Sequence, residues 1–333
     1  DDGKPVVEVA GNGSLVVQTA TLNARADSDK GTLFSSSGEA DSNTSADANV
    51  SLSAERGTLT GDWIAQGEEG KFLGFLSTGE KGYGVIEAEL GASQVVGNLT
   101  AKDFGTIDLT LDGGSLQGST SMSEKGKIDI ELTGESETRS AGAGVWNVTG
   151  DSNLNRLTLR DGTLNLPWRQ ANSSVDYKTV KVAQFGSADG ETAAGGNLYF
   201  NIDLEKEAEG SLDRLEAENV SSTYTGHVNF DNPKDLADKL YTESFLIHQE
   251  AGSMQVNNPD GKPMSGDGMM SKWSWKFRPA NLQGTDLTED DLHQLGNTGE
   301  GVGDWILVRD TSSGSGEGGD ETPPESEQIK NLG

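Results

Sequence analysis

The sequence repeats itself, and the repeat limits the fold more than any other feature. Ile86-Glu87-Ala88, Ile107-Asp108-Leu109 and Ile128-Asp129-Ile130 follow one another at one constant interval, and Val95 and Gly97 precede Leu116 and Gly118 by the same interval. Three longer stretches align without gaps: those starting at Leu52, Leu109 and Leu157 each read apolar-x-apolar, a Gly turn, then Thr or Ser followed by Leu59, Leu116 or Leu164. Alternation at period two makes a strand with one apolar face. Glycine at the corner allows a sharp turn. A period of about 20 residues is one turn of a β-solenoid with two or three short strands, in which stacking buries a face that a single turn cannot. A β-sandwich of short strands is the competing architecture; the constant spacing and ungapped realignment favour the solenoid.

Composition fits a thin core. Hydrophobic residues make up 32% of the 333 and the mean hydropathy is −0.54. This is lean for a sphere but adequate for a quasi-one-dimensional stack. The 25 Lys and Arg stand against 54 Asp and Glu, a net charge of −29. Nucleic acid is excluded as a partner because phosphate binding needs clustered cations, and the same balance opposes docking to an anionic membrane. No stretch is long and apolar enough to span a bilayer as a helix. The absence of Cys is compatible with an oxidising compartment.

Residues 144–166, Gly-Val-Trp-Asn-Val-Thr-Gly-Asp-Ser-Asn-Leu-Asn-Arg-Leu-Thr-Leu-Arg-Asp-Gly-Thr-Leu-Asn-Leu, resemble a signature of pertactin-like autotransporter passengers. The matching positions are Trp146, Val148, Leu157, Leu159, Gly162, Leu164 and Leu166. Leu59-Thr60-Gly61-Asp62-Trp63 resembles the family's Leu-Thr-Gly rungs. Tyr177–Val182, Gly196–Leu204, Asp213–Leu215, Gly226–Phe230 and Asp304–Val308 follow the order of its C-terminal passenger module. The resemblance covers about residues 50–310. It implies a right-handed parallel β-helix with a C-terminal capping and autochaperone module, exported by type V secretion to the surface or exterior of a Gram-negative bacterium. It also implies a β-barrel translocator in the outer membrane. The function it implies is that of an adhesin, a virulence-type surface protein whose partner is a host or neighbouring-cell protein or glycan.

The expected organisation runs from irregular turns with long loops over 1–49, with strands at 5–9 and 14–22, to the regular β-helix over 50–166. A closing module follows over 167–311, helical in pattern at 233–240. An acidic linker over 312–333, Gly/Ser-rich with Pro323-Pro324, leads towards the barrel.

Chemistry is weakly signalled. Gly150-Asp151-Ser152 with Asp290-x-x-His293 has the residue types of a Gly-Asp-Ser lipase, but Ser152 falls inside a repeat that already explains it, and the Gly-Asp-Ser-Gly of a serine protease is broken by Asn153. His227, His248 and His293 show no metal-ligand spacing, and Asp112-Gly113-Gly114-Ser115 is only a fragment of a calcium-binding repeat. Asp108, Asp129 and Glu131 read as a solvated face, with a pectate-lyase-like enzyme as the catalytic alternative. The expectation is therefore no enzyme, no cofactor and no metal; the rival is a stalk or scaffold for an autotransporter esterase, protease or polysaccharide-acting enzyme. Trp273, Trp275 and Phe277 share one strand face, with Met254, Met264, Met269 and Met270 nearby. They are either core packing or a partner-contact patch.

Overall fold

Each strand of the regular region lies beside the strand that occupies the same place one repeat later, and nearly all these pairings are parallel. The computed structural model describes residues 4–26, 31–41, 44–72, 76–134, 142–169, 176–186, 195–203, 211–230, 245–259, 274–279 and 304–310, and the statements below concern these. The helical pattern at 233–240, the linker at 312–333, Trp273, Asp290, His293, Met264, Met269 and Met270 lie outside them.

The described chain is all-β, without an α-helix. One sheet has five parallel strands in the order β1 (Val7–Ala10), β3 (Thr32–Ser37), β7 (Asp62–Gln66), β11 (Leu99–Lys102) and β14 (Thr120–Met122). A second, fourteen-stranded sheet includes β2 (Ser14–Arg25), β6 (Ala48–Thr60), β10 (Gly84–Val96), β12 (Thr106–Asp112), β13 (Ser115–Gly118), β15 (Lys127–Thr133), β16 (Val145–Val148) and β17 (Ser152–Asn165). It continues through β18 (Thr179–Gly186), β19 (Gly195–Ile202), β20 (Arg214–Phe230) and β21 (Ile247–Asn257). A single repeat, such as 106–126, supplies β12 and β13 to the large sheet and β14 to the small one. A sandwich built from hairpins would pair its neighbours antiparallel.

The sequence repeats become columns. Ile86, Ile107 and Ile128 are directly in register. Leu52, Ala88, Leu109, Ile130, Leu157 and Phe185 form one inward column. Leu59, Val95, Leu116, Trp146, Leu164 and Leu198 form another. All are buried, and the seven signature positions within 146–166 are buried with them. On the small sheet, Trp63 meets Phe34 edge-on at 5.3 Å. Pairing does not break at residue 49: β2 runs in register along β6.

The turns are clipped from rung to rung by Asp and Asn side chains that accept backbone N–H groups of the adjacent coil. Asp62 accepts from Asn98 at 2.7 Å, Asn98 from Ser119 at 2.9 Å, and Asp151 from Thr179 at 2.9 Å. Asp213 is fully buried and accepts twice, from Lys178 at 2.8 Å and Asn201 at 2.6 Å. The Lys178 ammonium, held below the usual lysine range by burial, donates to the carbonyls of Leu166 and Trp168 at 2.7 and 2.6 Å.

The stack closes with a change of pairing sense. β22 (Ser274–Pro279) and β23 (Trp305–Asp310) are antiparallel to each other, and β23 meets β21 antiparallel at Ile247 and Trp305. Phe277 fills the column position left empty at Gly226, where a Cβ would overlap its ring. Trp275 packs 6.2 Å from Phe230. Such an end covers the open core of a stack that would otherwise expose a pairing edge.

Candidate functional site

The regular interval stretches where the surface becomes irregular. Val50 stands in register with Ile86, a longer step along the chain than the one from Ile86 to Ile107, so the extra segment leaves the stack. It forms the antiparallel pair β8 (Glu68–Phe72) and β9 (Leu76–Gly82), beside the smaller pair β4 (Glu39–Ala40) and β5 (Ser45–Ala46) from the preceding rung. The two hairpins lie so close that a Cβ at Gly82 or Gly70 would overlap the Glu39 or Asp41 carbonyl oxygen; only glycine permits this layering.

Between the hairpins and the turn at Asp103 lies a cleft of about 520 Å³. Its walls carry Asp41, Glu68, Glu69, Lys71, Phe104 and Lys125. Phe104 is flanked by two ammonium groups, Lys125 at 4.8 Å and Lys81 at 5.0 Å from the ring centroid, and Tyr83 stands edge-on to it at 6.0 Å. Cation–π attraction holds both lysines at the ring while leaving their charge available. Glu69 accepts from the Ser77 hydroxyl at 2.6 Å and pairs with Lys125 at 3.3 Å. The Ser77 hydrogen bond first, and then Lys125, holds the Glu69 carboxyl below its usual range. Asp103 adopts the left-handed region at φ 51°, its N–H donating to the Ser123 hydroxyl at 2.7 Å, a conformation that Asp tolerates better than most residues.

A glycosidase acid must be a carboxyl that stays protonated, whereas Glu69 is held ionised. The cleft sets the ring-anchored Lys125, the ionised Glu69 and the partly exposed Phe104 ring side by side. Sequence reasoning does not single these residues out. The lengthened interval between Val50 and Ile86 is the available signal.

The residues that the sequence does single out are spread through the structure. Ser152 is nearly buried; its hydroxyl donates to the Gly150 carbonyl at 2.9 Å and accepts from the Thr120 N–H at 3.1 Å. With Asp151 clipping Thr179, the Gly-Asp-Ser triplet is spent on turn geometry. His227 stacks on Tyr199 at 4.2 Å and contacts Asn197 at 3.1 Å, whereas His248 pairs with buried Asp304 at 2.6 Å. Burial is the main cause that raises the Asp304 carboxyl, and His248 opposes it. No group of His, Cys, Asp and Glu able to hold a metal occurs among the described residues.

Asp108 and Asp129 do stack, in register with Glu87 and Arg156. Asp129 accepts from Asn155 at 2.6 Å, and Arg160 pairs with Glu131 at 2.7 Å. Burial, then the neighbouring Asp129 and Glu87 charges, raises the Asp108 carboxyl. The contact-patch reading of Trp275 and Phe277 does not fit: Trp275 is wholly buried and Phe277 is 3% exposed, because both plug the end of the inward columns. Met254 is buried as well.

No protein-family description matches the chain, and no curated protein matches it. Among solved structures, the crystal structure of the Haemophilus influenzae Hap adhesin is similar at 13% identity and a TM-score of 0.41, covering 87% of this chain and 24% of that one. The chain therefore spans about a quarter of that structure's length.

Proposed function

We propose that this chain is a stretch of an autotransporter passenger, coiled as a right-handed parallel β-helix, that works at or beyond the surface of a Gram-negative cell by binding rather than by catalysis. One observation carries the reading. The motif at 144–166, on which the family resemblance rests, puts its apolar positions into the inward columns of a parallel in-register stack. The rest of the molecule supports a contact role. Rigid rungs hold the hairpin cleft away from the core, as binding loops on a scaffold are held. Two of its charges, Glu69 and Lys125, are held by each other and by Ser77 and Phe104, and the serine that could have been a nucleophile is committed to backbone hydrogen bonds. The closing antiparallel pair fits an end that folds first outside the cell and templates the neighbouring rungs.

Beads coated with the chain are expected to adhere to epithelial monolayers. Lys71→Glu with Lys125→Glu should weaken adherence while leaving the β-sheet circular dichroism intact. Small-angle scattering should give an elongated particle. A radius of gyration near the compact value of about 2.2·N^0.38 Å would sink the coil. Absence of adherence, or turnover of esters or pectic polysaccharides that disappears in Asp129→Asn, would sink the binding role.

A further inference from the structure

The outward positions of the large sheet divide by chemistry. In one region the columns carry charge: Glu87, Asp108, Asp129 and Arg156 follow one another, as do Glu89, Thr110 and Glu131. In the adjoining region, from β13 to β20, a pair of outward columns carries none. The first runs Ser115, Val145, Thr163, Asn197 and Thr225, and the second Gln117, Asn147, Asn165, Tyr199 and His227. All are at least partly exposed, in a chain of net charge −29 in which 24% of residues are charged.

The second column is organised from within. The Asn165 amide donates to Asn147 at 2.7 Å, and the Tyr199 and His227 rings stack at 4.2 Å with only 5° between their planes. His227 is also anchored to Asn197 of the first column at 3.1 Å. The side chains are thus pre-oriented, which lowers the entropy lost on binding.

We propose that this uncharged face, a contact surface distinct from the hairpin cleft, binds a neutral linear glycan laid along the stack; the inference rests on the binding role proposed above. Three physical arguments select that ligand. An anionic polymer is repelled by the overall charge, and a cationic one is drawn to the neighbouring carboxylate columns. Amides and hydroxyls recur at the strand spacing of about 4.7–4.9 Å, which suits a ligand that repeats on nearly the same scale, as an extended glycan does. Burying amides and hydroxyls against sugar hydroxyls exchanges one set of hydrogen bonds for another, without the cost of desolvating charge. The stacked Tyr199 and His227 rings give one end of the face an apolar surface against which a sugar ring can pack.

The test is calorimetric titration of the chain with cellohexaose and chitohexaose, and with hexagalacturonate as the charged counterpart. At least one neutral hexasaccharide should bind saturably, and more tightly than hexagalacturonate. Asn147→Asp with Asn165→Asp, near-isosteric changes that place charge on the face, should weaken it at least about tenfold, as should Tyr199→Ala. Glu131→Gln on the charged face should leave binding unchanged. Failure of both neutral sugars to bind, preference for hexagalacturonate, or indifference to the double variant overturns the proposal. So does sedimentation showing that the double variant merely dissociates a dimer, because the occupant is then a second copy. Adherence that persists without glycan binding leaves the binding role standing and removes only this inference.

Discussion

Replacing Asp213 by Asn isolates what a buried carboxylate contributes to the joint between rungs. The two side chains are nearly the same shape, so packing is preserved. Both Asp213 oxygens accept, one from the Lys178 N–H at 2.8 Å and the other from the Asn201 N–H at 2.6 Å. An Asn at this position has one acceptor oxygen. Whichever way its amide turns, its NH₂ faces one of the two donors. One charge-assisted hydrogen bond, worth about 1.5–3 kcal/mol, is lost, and buried donors left unsatisfied cost about 1–3 kcal/mol. Asp213→Asn should therefore cost roughly 2.5–6 kcal/mol by this sum. Asp151→Asn is the control: that exposed turn side chain accepts from the Thr179 N–H at 2.9 Å, and an amide oxygen can fill the same role. Urea unfolding should be followed by far-ultraviolet circular dichroism and Trp fluorescence together, because stacked repeats can unfold piecemeal. A cost for Asp213→Asn within about 1 kcal/mol of the control, about one net hydrogen bond, would refute this account of the joint.

Trp146→Ala should cost about 3–5 kcal/mol, read by the same denaturation, since the ring is wholly buried and its Nε1 donates to the Gly118 carbonyl at 2.9 Å. Ser152→Ala should lower stability by about 1–3 kcal/mol by leaving the buried Thr120 N–H without its acceptor, and esterase assays should find no serine-dependent turnover in either form. Asp108→Asn should raise the melting temperature at neutral pH. The folded-state pKa of Asp108 is raised, so its protonated form is favoured on folding; that stabilisation is complete below the unfolded carboxyl's pKa and is lost as pH rises through the folded value. Melting curves of the variant and parent should converge in acid, and a gap independent of pH would count against the stacked carboxylates as its cause.

Much of the fold is legible in the sequence because a stack turns spacing into register. The alignment of Leu52 with Leu109 and Leu157 needs only counting, and all three lie in one column. Strand ends are less visible: β1 begins at Val7 rather than Pro5, whose missing N–H suits a strand entrance, and β2 runs past Leu22 to Arg25 because β6 offers it a partner along that length. The cleft is hidden because its residues meet across rungs. Glu69 and Lys125 are far apart in sequence, and only the intervening register brings them within 3.3 Å. The alternation of Trp275 and Phe277 does put both on one face, but periodicity cannot say which side of a strand is wet. Gly226, a column position without a side chain, is the missing clue, since Phe277 occupies the space it leaves.

The constant register also makes the molecule editable by whole units. Residues 106–126 enter and leave the stack at equivalent points, so removing them would seat Ile128 where Ile107 now contacts Ile86, with the following rungs shifting together. The antiparallel closure at β22 and β23 touches only the last strands and is blind to how many coils precede it. The length of the stack can therefore be increased or reduced by duplication or loss of a single unit. The closing pair would not have to change in response, whereas loss of 106–126 itself would take Lys125 from the cleft wall.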